Sequence, residues 1–200
     1  MNRHRLPVLA FVLWAAAVLV GLGWMGRYAA TAGDMHRPDA DGLDWANAVR
    51  TPGRPLLVMA VHPRCPCTSA SLSELDTLIR RRPADCDVVI LEYSLEADAT
   101  GRTTRELGGL TVPVIPDPAG RLAARLGAVT SGHAVLVGAD GQVRFHGGLT
   151  IARGHRGPAP GQEAVLSALT GNPVPFTTTP VYGCKLGDAT CTDETCHGGA

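Results

Sequence analysis

Apolar and polar positions divide the chain into one long apolar run, a polar connecting segment and a domain of shorter periodic segments. Residues 6–26 carry no charged side chain, and a helix of that length, rising about 1.5 Å per residue, crosses the ~30 Å apolar core of a bilayer. Arg3 and Arg5 precede the run, which favours a cytoplasmic N-terminus and an exported remainder. Small residues at positions 30–32 also fit a signal-peptide cleavage site. Because the run exceeds the ~7–15 residues of a signal-peptide core, we predict a membrane anchor over residues 1–28.

Shorter segments after residue 50 predict strands and helices in alternation. The uncharged run at residues 55–61 indicates a buried strand, and apolar residues recur at helical spacing from Leu72 to Ile79. Ser71 followed by Glu74 fits a capping box at the start of that helix. Further strands are predicted at residues 87–93, 112–115, 134–137 and 142–146, and further helices at residues 43–49, 100–107, 116–126 and 162–169.

The order of these segments describes an α/β fold. The order is βα, βα, a connecting segment with a helix, ββ and then α, which builds a central sheet covered by helices on both faces. Parallel pairing is expected for the first strands, and an Ala-Asp-Gly turn near residue 140 predicts an antiparallel hairpin. We assign residues 29–50 to a tether, residues 51–170 to the folded domain and residues 171–200 to a tail that lies over the domain or hangs free.

Composition and charge narrow the class of partner. The 18 basic and 18 acidic residues give a formal net charge of zero, which indicates no nucleic-acid partner. An exported domain meets an oxidising compartment, where cysteines serve as disulfides or redox centres. The chain has six cysteines. Because a domain of this size does not need disulfides in order to fold, paired cysteines at a helix start indicate chemistry.

Cys65 and Cys67 lie at the predicted turn from the first strand into the helix. Free amide groups and the positive end of the helix dipole favour a thiolate there. Pro66 between them fixes one backbone dihedral, so a Cys65–Cys67 disulfide would be strained and a ready oxidant. A mixed disulfide at Cys65 that another cysteine resolves is the second possibility. Two buried structural cysteines, or a copper(I) site completed by His62, are the alternatives.

Other candidates lie near this turn or in the tail. His62 either stabilises the thiolate, joins a metal site or is a solvated histidine at a strand end. Cys86 precedes a strand, where a packed thiol is expected. In the tail, Cys184 either pairs with Cys191 in a disulfide or resolves Cys65. The tail also offers weaker haem-attachment and zinc patterns, which involve Cys184, Cys191, Cys196 and His197.

The cysteine turn resembles the thioredoxin superfamily, in its exported, membrane-tethered branch. The strand, the Cys-Pro turn and the amphipathic helix are similar to thioredoxin-like reductases, and residues 110–120 are similar to a stretch of peroxiredoxins. His62-Pro-x-Cys-Pro-Cys-Thr68, with residues 145–150 and 153–155 downstream, looks most like RedB-like proteins. The resemblance covers residues 50–170 and implies a thioredoxin-like sheet and a thiol–disulfide oxidoreductase activity.

The resemblance also assigns positions, with two departures from the superfamily. Counting back nine residues from a Glu-Leu pair places Cys65 on the superfamily nucleophile. Thr68 then stands where the resolving cysteine usually lies, and Cys67 lies between the two. Superfamily members usually place a cis-proline before the hairpin strand, facing the cysteines, and residues 130–133 contain no proline. His133 occupies that segment and is therefore a candidate functional residue.

We therefore predict a membrane-anchored, extracytoplasmic thiol–disulfide oxidoreductase with its domain on the periplasmic side and no cofactor. Cys65 attacks a substrate sulfur, Cys67 is favoured over Cys184 as the resolving thiol, and Thr68 caps the helix and hydrogen-bonds the thiolate. Protein thiols and disulfides are the expected substrates, and a membrane or periplasmic thiol is the expected electron donor. A copper(I)-handling protein that uses His62, Cys65 and Cys67, and a thiol peroxidase, are the alternatives.

Overall fold

The computed structural model describes residues 5–82, 85–95, 101 and 103–187. The helices are α1 (Arg5–Ala30), α2 (Ala40–Val49), α3 (Thr68–Arg81), α4 (Arg121–Arg125) and α5 (Pro160–Leu169). The strands are β1 (Leu56–Val61), β2 (Asp87–Ser94), β3 (Thr103–Leu107), β4 (Leu110–Pro118), β5 (His133–Val137), β6 (Val143–Gly148) and β7 (Thr178–Thr179). The apolar runs predicted as the first two strands correspond to β1 and β2, so the first strand–helix–strand unit is confirmed.

One mixed sheet joins these strands in the order β3-β4-β2-β1-β5-β6-β7. β1 runs parallel to β2, and β2 runs parallel to β4. β5 runs antiparallel to β1 and to β6. The predicted parallel first strands and the predicted antiparallel hairpin are therefore confirmed. Because β1 is the central strand, the segment that follows Val61 lies in the middle of the row of strand ends, at the carboxyl end of β1.

The sheet has a hydrophobic core on each face, because successive side chains of a strand point to opposite sides. On β1, Leu57 and Met59 face one core, whereas Leu56 and Val58 face the other. The first core is closed by α3 and α5, and the second by α2 and α4. Helices therefore cover both faces, as the order of elements predicted.

The segment predicted as a helix over residues 100–107 is a strand, so that prediction is wrong. The strand β3 pairs antiparallel with β4 in a hairpin. Gly108 and Gly109 form its turn, with φ values of +59° and +79°. A two-residue hairpin turn of type I′ requires such values at both positions, and glycine adopts them without strain. The glycine pair, which the prediction used as a helix end, reverses the chain instead. Residues 100 and 102 of that prediction lie outside the described residues.

The helix predicted over residues 116–126 is wrong in its first part. Residues 116–118 extend β4 beside β2, and only Arg121–Arg125 is helical. The carboxylate of Asp117 accepts the backbone N–H groups of Leu122 and Ala123 at 2.9 and 2.8 Å. Because the first N–H groups of a helix have no partner within it, this carboxylate acts as the cap. The aspartate between two prolines thus marks a strand end and not the first helical turn.

The helix α1 is long and apolar enough to cross a membrane, since Pro7–Ala30 reaches a mean hydropathy of 2.3 and is not buried against the domain. Its last turn contacts the segment between β6 and α5. Arg153 donates its backbone N–H to the carbonyl of Ala29 at 3.0 Å. The Arg153 guanidinium also lies 4.8 Å from the centre of the Tyr28 ring. The apolar helix and the domain therefore meet at this arginine.

The tail lies over the domain as far as residue 187. The strand β7 pairs with β6 at the edge of the sheet. Further along, Val181 pairs with Gly33, and Lys185 pairs with Thr130, in isolated antiparallel bridges. The tail thus crosses from the sheet edge to the segment just before β5. The strand β5 is the neighbour of β1. The sequence predicted that the tail either lies over the domain or hangs free, and the described part of the tail lies over the domain.

Candidate active site

The turn that carries the first two cysteines follows β1 directly. The carbonyl of His62 accepts the backbone N–H of Cys65 at 3.1 Å, and the carbonyl of Cys65 accepts that of Thr68 at 3.0 Å. Pro66 lies inside the second of these turns, at a position that suits its fixed φ. Cys67 is the N-cap residue of α3, which begins at Thr68. The predicted sequence of strand, cysteine turn and helix is therefore confirmed.

The predicted capping box of Ser71 and Glu74 is wrong. Because α3 begins at Thr68, Ser71 already lies inside the helix, and Glu74 is buried. The Glu74 carboxylate accepts the backbone N–H of Gly157 at 2.8 Å and the side-chain N–H of Gln162 at 2.7 Å. Glu74 therefore holds the segment between β6 and α5 against α3, and the charge of Arg153 in this segment acts on Cys67.

Three cysteines meet at the carboxyl end of β1. Sγ of Cys65 accepts the backbone N–H of Cys184 at 3.3 Å, and the thiols of Cys184 and Cys67 lie near enough to lower its pKa as hydrogen-bond donors. Hydrogen bonds donated to a sulfur stabilise its anion. They hold the pKa of Cys65 well below its ordinary value, the Cys184 thiol contributing most and the Cys67 thiol next, against a burial that raises it.

The pKa values of the two donor thiols move in the opposite direction. The pKa values of Cys67 and Cys184 are raised, first because each thiol donates a hydrogen bond to Cys65 and keeps its proton, then because of burial and the nearby Cys65 charge. The charge of Arg153 opposes this rise at both thiols. The arrangement is one thiolate held by two neutral thiols. It suits attack by Cys65 on a disulfide, because the thiolate is the nucleophilic form.

The hydroxyl of Thr68 has a different role from the predicted one. It donates to the carbonyl of His62 at 2.8 Å and lies 3.1 Å from Oγ of Ser131. Oγ of Ser131 also accepts the backbone N–H of His62 at 2.9 Å. The helix α3 has no side-chain cap hydrogen bond, so the predicted cap is wrong, and the hydroxyl is directed to a carbonyl and not to the Cys65 thiolate. Thr68 and Ser131 together join the turn to the segment before β5.

The ring of His62 lies against an aromatic side chain near the turn. It stacks on Tyr93 with ring centroids 4.9 Å apart, and its Nδ1 accepts the backbone N–H of Arg64 at 3.1 Å. Burial lowers the pKa of His62, and the charge of Cys65 acts in the other direction. His62 is therefore a buried residue that shapes the turn, and not the solvated histidine considered from the sequence.

The ring of His133 lies deep in the protein. His133 is fully buried, and its ring stacks on that of His146 with centroids 5.9 Å apart. It alternates along β5 with Ala134, which faces the core under α3 and α5, so it points toward the other face of the sheet. Burial lowers the pKa of His133 to about 3. Within the segment before β5, the side chain that contacts the cysteine turn is that of Ser131.

Cys86 lies in the core, away from the three cysteines at the end of β1. Cys86 is a packed thiol, as predicted, with 2 % exposure and a pKa that burial raises to about 11. Among the described residues, no group of three or more His, Cys, Asp or Glu side chains is arranged to hold a metal ion. Cys191, Cys196 and His197 lie outside the described residues.

Arg153 also belongs to this site, although the sequence marked it only as part of the resemblance to RedB-like proteins and assigned it no role. Its guanidinium donates to the carbonyl of Gly183 in the tail, lies over Tyr28 at the end of α1 and acts by its charge on the two donor thiols. Each of these partners comes from a different part of the chain, so the local sequence does not predict the contacts of the arginine. The available signal was an arginine within a glycine-rich stretch shortly after a strand.

Comparison with known proteins gave structural matches alone. No family model matches the chain, and no curated protein matches it. An uncharacterised conserved protein from Geobacillus kaustophilus gives a TM-score of 0.55 at 18% identity, covering 82% of this chain and 92% of that one. A hypothetical protein from Sinorhizobium meliloti gives 0.51 at 19% identity, with coverage of 80% and 92%. A secreted Mycobacterium tuberculosis disulfide oxidoreductase gives 0.40 at 16% identity, with coverage of 62% and 85%.

The likenesses to the first two structures concern the fold. They cover nearly all of each of those two proteins, and the sequence identities are too low to assign an activity to this chain. The unit of β1, α3 and β2, with the hairpin of β5 and β6 and the helix α5 on the same sheet, is the arrangement that the resemblance to thioredoxins implied. The chain therefore has a thioredoxin-like α/β fold, preceded by an apolar helix and carrying three cysteines at the end of its central strand.

Proposed function

We propose that this chain is a membrane-anchored thiol–disulfide oxidoreductase that acts outside the cytoplasm, with Cys65 as its nucleophile. The observation that supports this most is the hydrogen bond from the backbone N–H of Cys184 to Sγ of Cys65, at a site where the thiols of Cys184 and Cys67 also lower the pKa of Cys65 as donors. These donors stabilise the thiolate that attacks disulfides. Cys86, a buried thiol with a raised pKa, provides the contrast within the same fold.

The proposed reaction consists of two thiol–disulfide exchanges. The Cys65 thiolate attacks one sulfur of a substrate disulfide, a Cys65–substrate disulfide forms, and the other substrate sulfur leaves as a thiolate and takes up a proton. A second protein thiol then loses its proton and attacks Sγ of Cys65, which forms an internal disulfide and releases the second substrate thiol. The substrate gains two electrons and two protons. A membrane or periplasmic dithiol returns them to the protein, and the reverse steps oxidise a substrate.

Cys184 fits the second step better than Cys67 does. The thiols of both residues hydrogen-bond to Sγ of Cys65. A Cys65–Cys67 disulfide, however, closes a tight ring through Pro66, and Cys67 is also held as the N-cap of α3. Cys184 comes from a separate segment, so its disulfide with Cys65 does not distort the turn. The sequence favoured Cys67 because it lies close to Cys65 wherever the tail is, and we propose Cys184 in its place.

The position of α1 supports a membrane-bound enzyme. The helix has the length and hydropathy of a membrane span, and its arginine-flanked N-terminus favours the cytoplasmic side. A reporter fused after residue 200 is expected to be active only outside the cytoplasm. Activity of the reporter in the cytoplasm alone would contradict the orientation, and a mature N-terminus at residue 33 would replace the anchor by a signal peptide.

A redox assay on the full chain tests the activity. The reduced protein is expected to reduce the disulfides of insulin, and Cys65→Ser should abolish this activity, whereas Cys86→Ser should retain it. Equal activity of Cys65→Ser and the unaltered chain would show that the proposal is wrong. Fast consumption of hydrogen peroxide without insulin reduction would indicate a peroxidase. Copper bound at one equivalent, and lost in Cys65→Ser, would indicate a metal-handling protein.

A further inference from the structure

A cleft lies between the segment before α2, at residues 35–38, and the strands β6 and β7. It encloses about 560 Å³, a volume typical of sites for small molecules. No aspartate or glutamate of the described part of the chain lines it. Its polar lining consists of two histidines, two arginines and two threonines, which are His36, His146, Arg37, Arg144, Thr177 and Thr178.

Backbone hydrogen bonds hold both walls of the cleft. On one wall, His36 donates its N–H to the carbonyl of Gly127 at 2.9 Å. The two backbones approach closely there, since a Cβ atom added to Gly127 would lie 2.2 Å from the carbonyl oxygen of His36. On the other wall, His146 donates its N–H to the carbonyl of Thr177 at 3.1 Å. The cleft is therefore formed by the fold itself, as ligand sites usually are.

The charges that act on the histidines at this cleft are positive. Burial lowers the pKa of His146 first, and the charge of Arg37 lowers it further. Behind His146, the pKa of His133 is lowered by burial and then by the charges of His146 and His36. No carboxylate of the described residues contributes to either shift. The cleft therefore has positive charge without an acidic side chain to balance it at the histidines.

The two stacked imidazole rings also lack hydrogen-bond partners. Both ring nitrogens of His133 and Nδ1 of His146 are buried, and none of them has a partner within the described residues. Buried polar atoms are nearly always paired, with the protein, with water or with a ligand. An oxygen acceptor in the cleft would give the His146 ring a partner, and a negative charge on that oxygen would balance the positive charge around it.

We propose that this cleft binds the phosphate group of a ligand through Arg37, Arg144 and His146. The donors come from the segment before α2 and from β6, and threonine hydroxyls of β7 add to them, so they reach a tetrahedral phosphate from several sides. Arg144 also pairs with Asp140. Both side chains of that pair are about half exposed, and such a pair contributes little, so it leaves Arg144 able to contact a phosphate.

Two sources can supply such a phosphate. His36 follows the end of α1 at Ala30 by six residues, so it lies within about 22 Å of that end even if the chain between them is fully extended. With α1 in a membrane, the headgroups of anionic phospholipids are within reach of the cleft. A soluble phosphate ester is the other source, and it offers the same oxygen acceptors.

Calorimetry of the full chain in a sugar detergent free of phosphate tests the binding. Glycerol phosphate is expected to bind saturably, and Arg37→Gln should weaken it at least about tenfold. Glycerate, which carries a carboxylate in place of the phosphate, should also bind at least about tenfold more weakly. The absence of saturable binding, or equal affinity for glycerate, would overturn the inference.

A matched pair of variants tests whether the cleft is the site. Arg144→Gln and Arg80→Gln each remove an exposed arginine that pairs with an aspartate four positions earlier. Arg80 lies on α3, against the other face of the sheet. Only Arg144→Gln should weaken the binding of glycerol phosphate. An equal loss in Arg80→Gln would show that the phosphate responds to net charge alone and would overturn the site.

Nuclear magnetic resonance of histidine-labelled protein locates the ligand and identifies its source. Glycerol phosphate should shift the ring signals of His146 and leave those of His155, between β6 and α5, in place. A shift of His155 without one of His146 would overturn the site. The same His146 shift on adding phosphatidylglycerol to the micelles, and none with phosphatidylcholine, would support a lipid ligand, whereas a shift with glycerol phosphate alone would support a soluble one.

The binding does not depend on the proposed redox function. Cys65→Ser should bind glycerol phosphate as the unaltered chain does, because Cys65 does not line the cleft. Loss of binding in Cys65→Ser would contradict the placement of the phosphate in this cleft. Failure of insulin reduction with intact phosphate binding would refute the redox proposal and leave the phosphate site standing.

Discussion

The backbone N–H of Cys184 donates a hydrogen bond to Sγ of Cys65 over 3.3 Å, although 119 positions separate the two residues in the chain. A backbone donor aimed at a sulfur stabilises negative charge there without carrying a charge of its own. The same residue also brings a thiol within reach of that sulfur. Cys184 therefore combines two properties, stabilisation of the attacking thiolate and supply of the thiol that resolves the intermediate.

Trapping of the mixed disulfide tests which cysteine resolves it. With Cys184→Ser, the Cys65–substrate disulfide is expected to accumulate, because the thiol that would attack Sγ of Cys65 is gone. With Cys67→Ser, it is expected to turn over at nearly the normal rate. Non-reducing electrophoresis and mass spectrometry of the protein after mixing with oxidised substrate measure the trapped fraction. Accumulation in Cys67→Ser and turnover in Cys184→Ser would assign the step to Cys67.

Alkylation across pH tests the cause of the lowered Cys65 pKa. The thiol of Cys184 is the largest contributor, so Cys184→Ala removes a donor and should raise the pKa of Cys65 toward the ordinary value of about 8.5. The midpoint of the alkylation profile then moves to higher pH, since less thiolate exists at any lower pH. Cys184→Ser is the matched control, because its hydroxyl still donates, and it should shift the midpoint less. A midpoint unchanged in Cys184→Ala would contradict this origin.

The cysteine turn was predictable because its determinants are local. The uncharged run before Cys65 and the periodic apolar residues after it define a strand and a helix, and those elements place the turn. Its partner Cys184 was not predictable as a contact, since the tail is polar and Pro-rich and its pairing with residues 129–131 uses backbone groups that every sequence has. The sequence offered Cys184 as the alternative to Cys67 for the resolving thiol, and the pairing register of the tail brings it to Cys65.

The errors in the fold have a similar physical origin. Gly108-Gly109 ends a helix or turns a hairpin with equal ease, because glycine adopts positive φ in both. The residues before these two glycines pair with β4, and this pairing makes the segment a hairpin and not a helix end. Glu74 likewise has the spacing of a capping residue from Ser71, but its carboxylate is satisfied by Gly157 and Gln162, far along the chain. Local patterns were right where neighbours in sequence supply the partners.

The hydrogen bonds of Glu74 predict a large cost on its removal. Glu74→Ala leaves the buried amide of Gln162 and the N–H of Gly157 without this acceptor, and it should lower the free energy of unfolding by about 2 kcal/mol. Denaturation by urea measures the loss. The double variant Glu74→Ala with Gln162→Leu should lose less than the sum of the two single variants, because the two side chains share one hydrogen bond. Additive losses would show that the contact contributes nothing of its own.

Buried His133 predicts a specific dependence of stability on pH. Its folded pKa is lowered to about 3, chiefly by burial, whereas the unfolded chain has the ordinary value near 6.5. Between these values the unfolded state binds more protons, so the free energy of unfolding falls as the pH falls from 6.5 toward 3. One such group contributes a slope of at most about 1.4 kcal/mol per pH unit.

The variant His133→Phe should remove this contribution. A phenyl ring keeps the packing against His146, and it eliminates two buried ring nitrogens that have no hydrogen-bond partner. At pH 7 the variant is therefore expected to be at least as stable as the unaltered protein, because no polar atom is left unsatisfied at this position. Between pH 6.5 and 4 its stability should fall less steeply, although burial also lowers the pKa of His146 and of His62 and so preserves part of the slope. Urea denaturation at a series of pH values measures both quantities. An unchanged slope would mean that the pKa of His133 is the same in the folded and the unfolded protein, and would contradict the lowering of this pKa by burial.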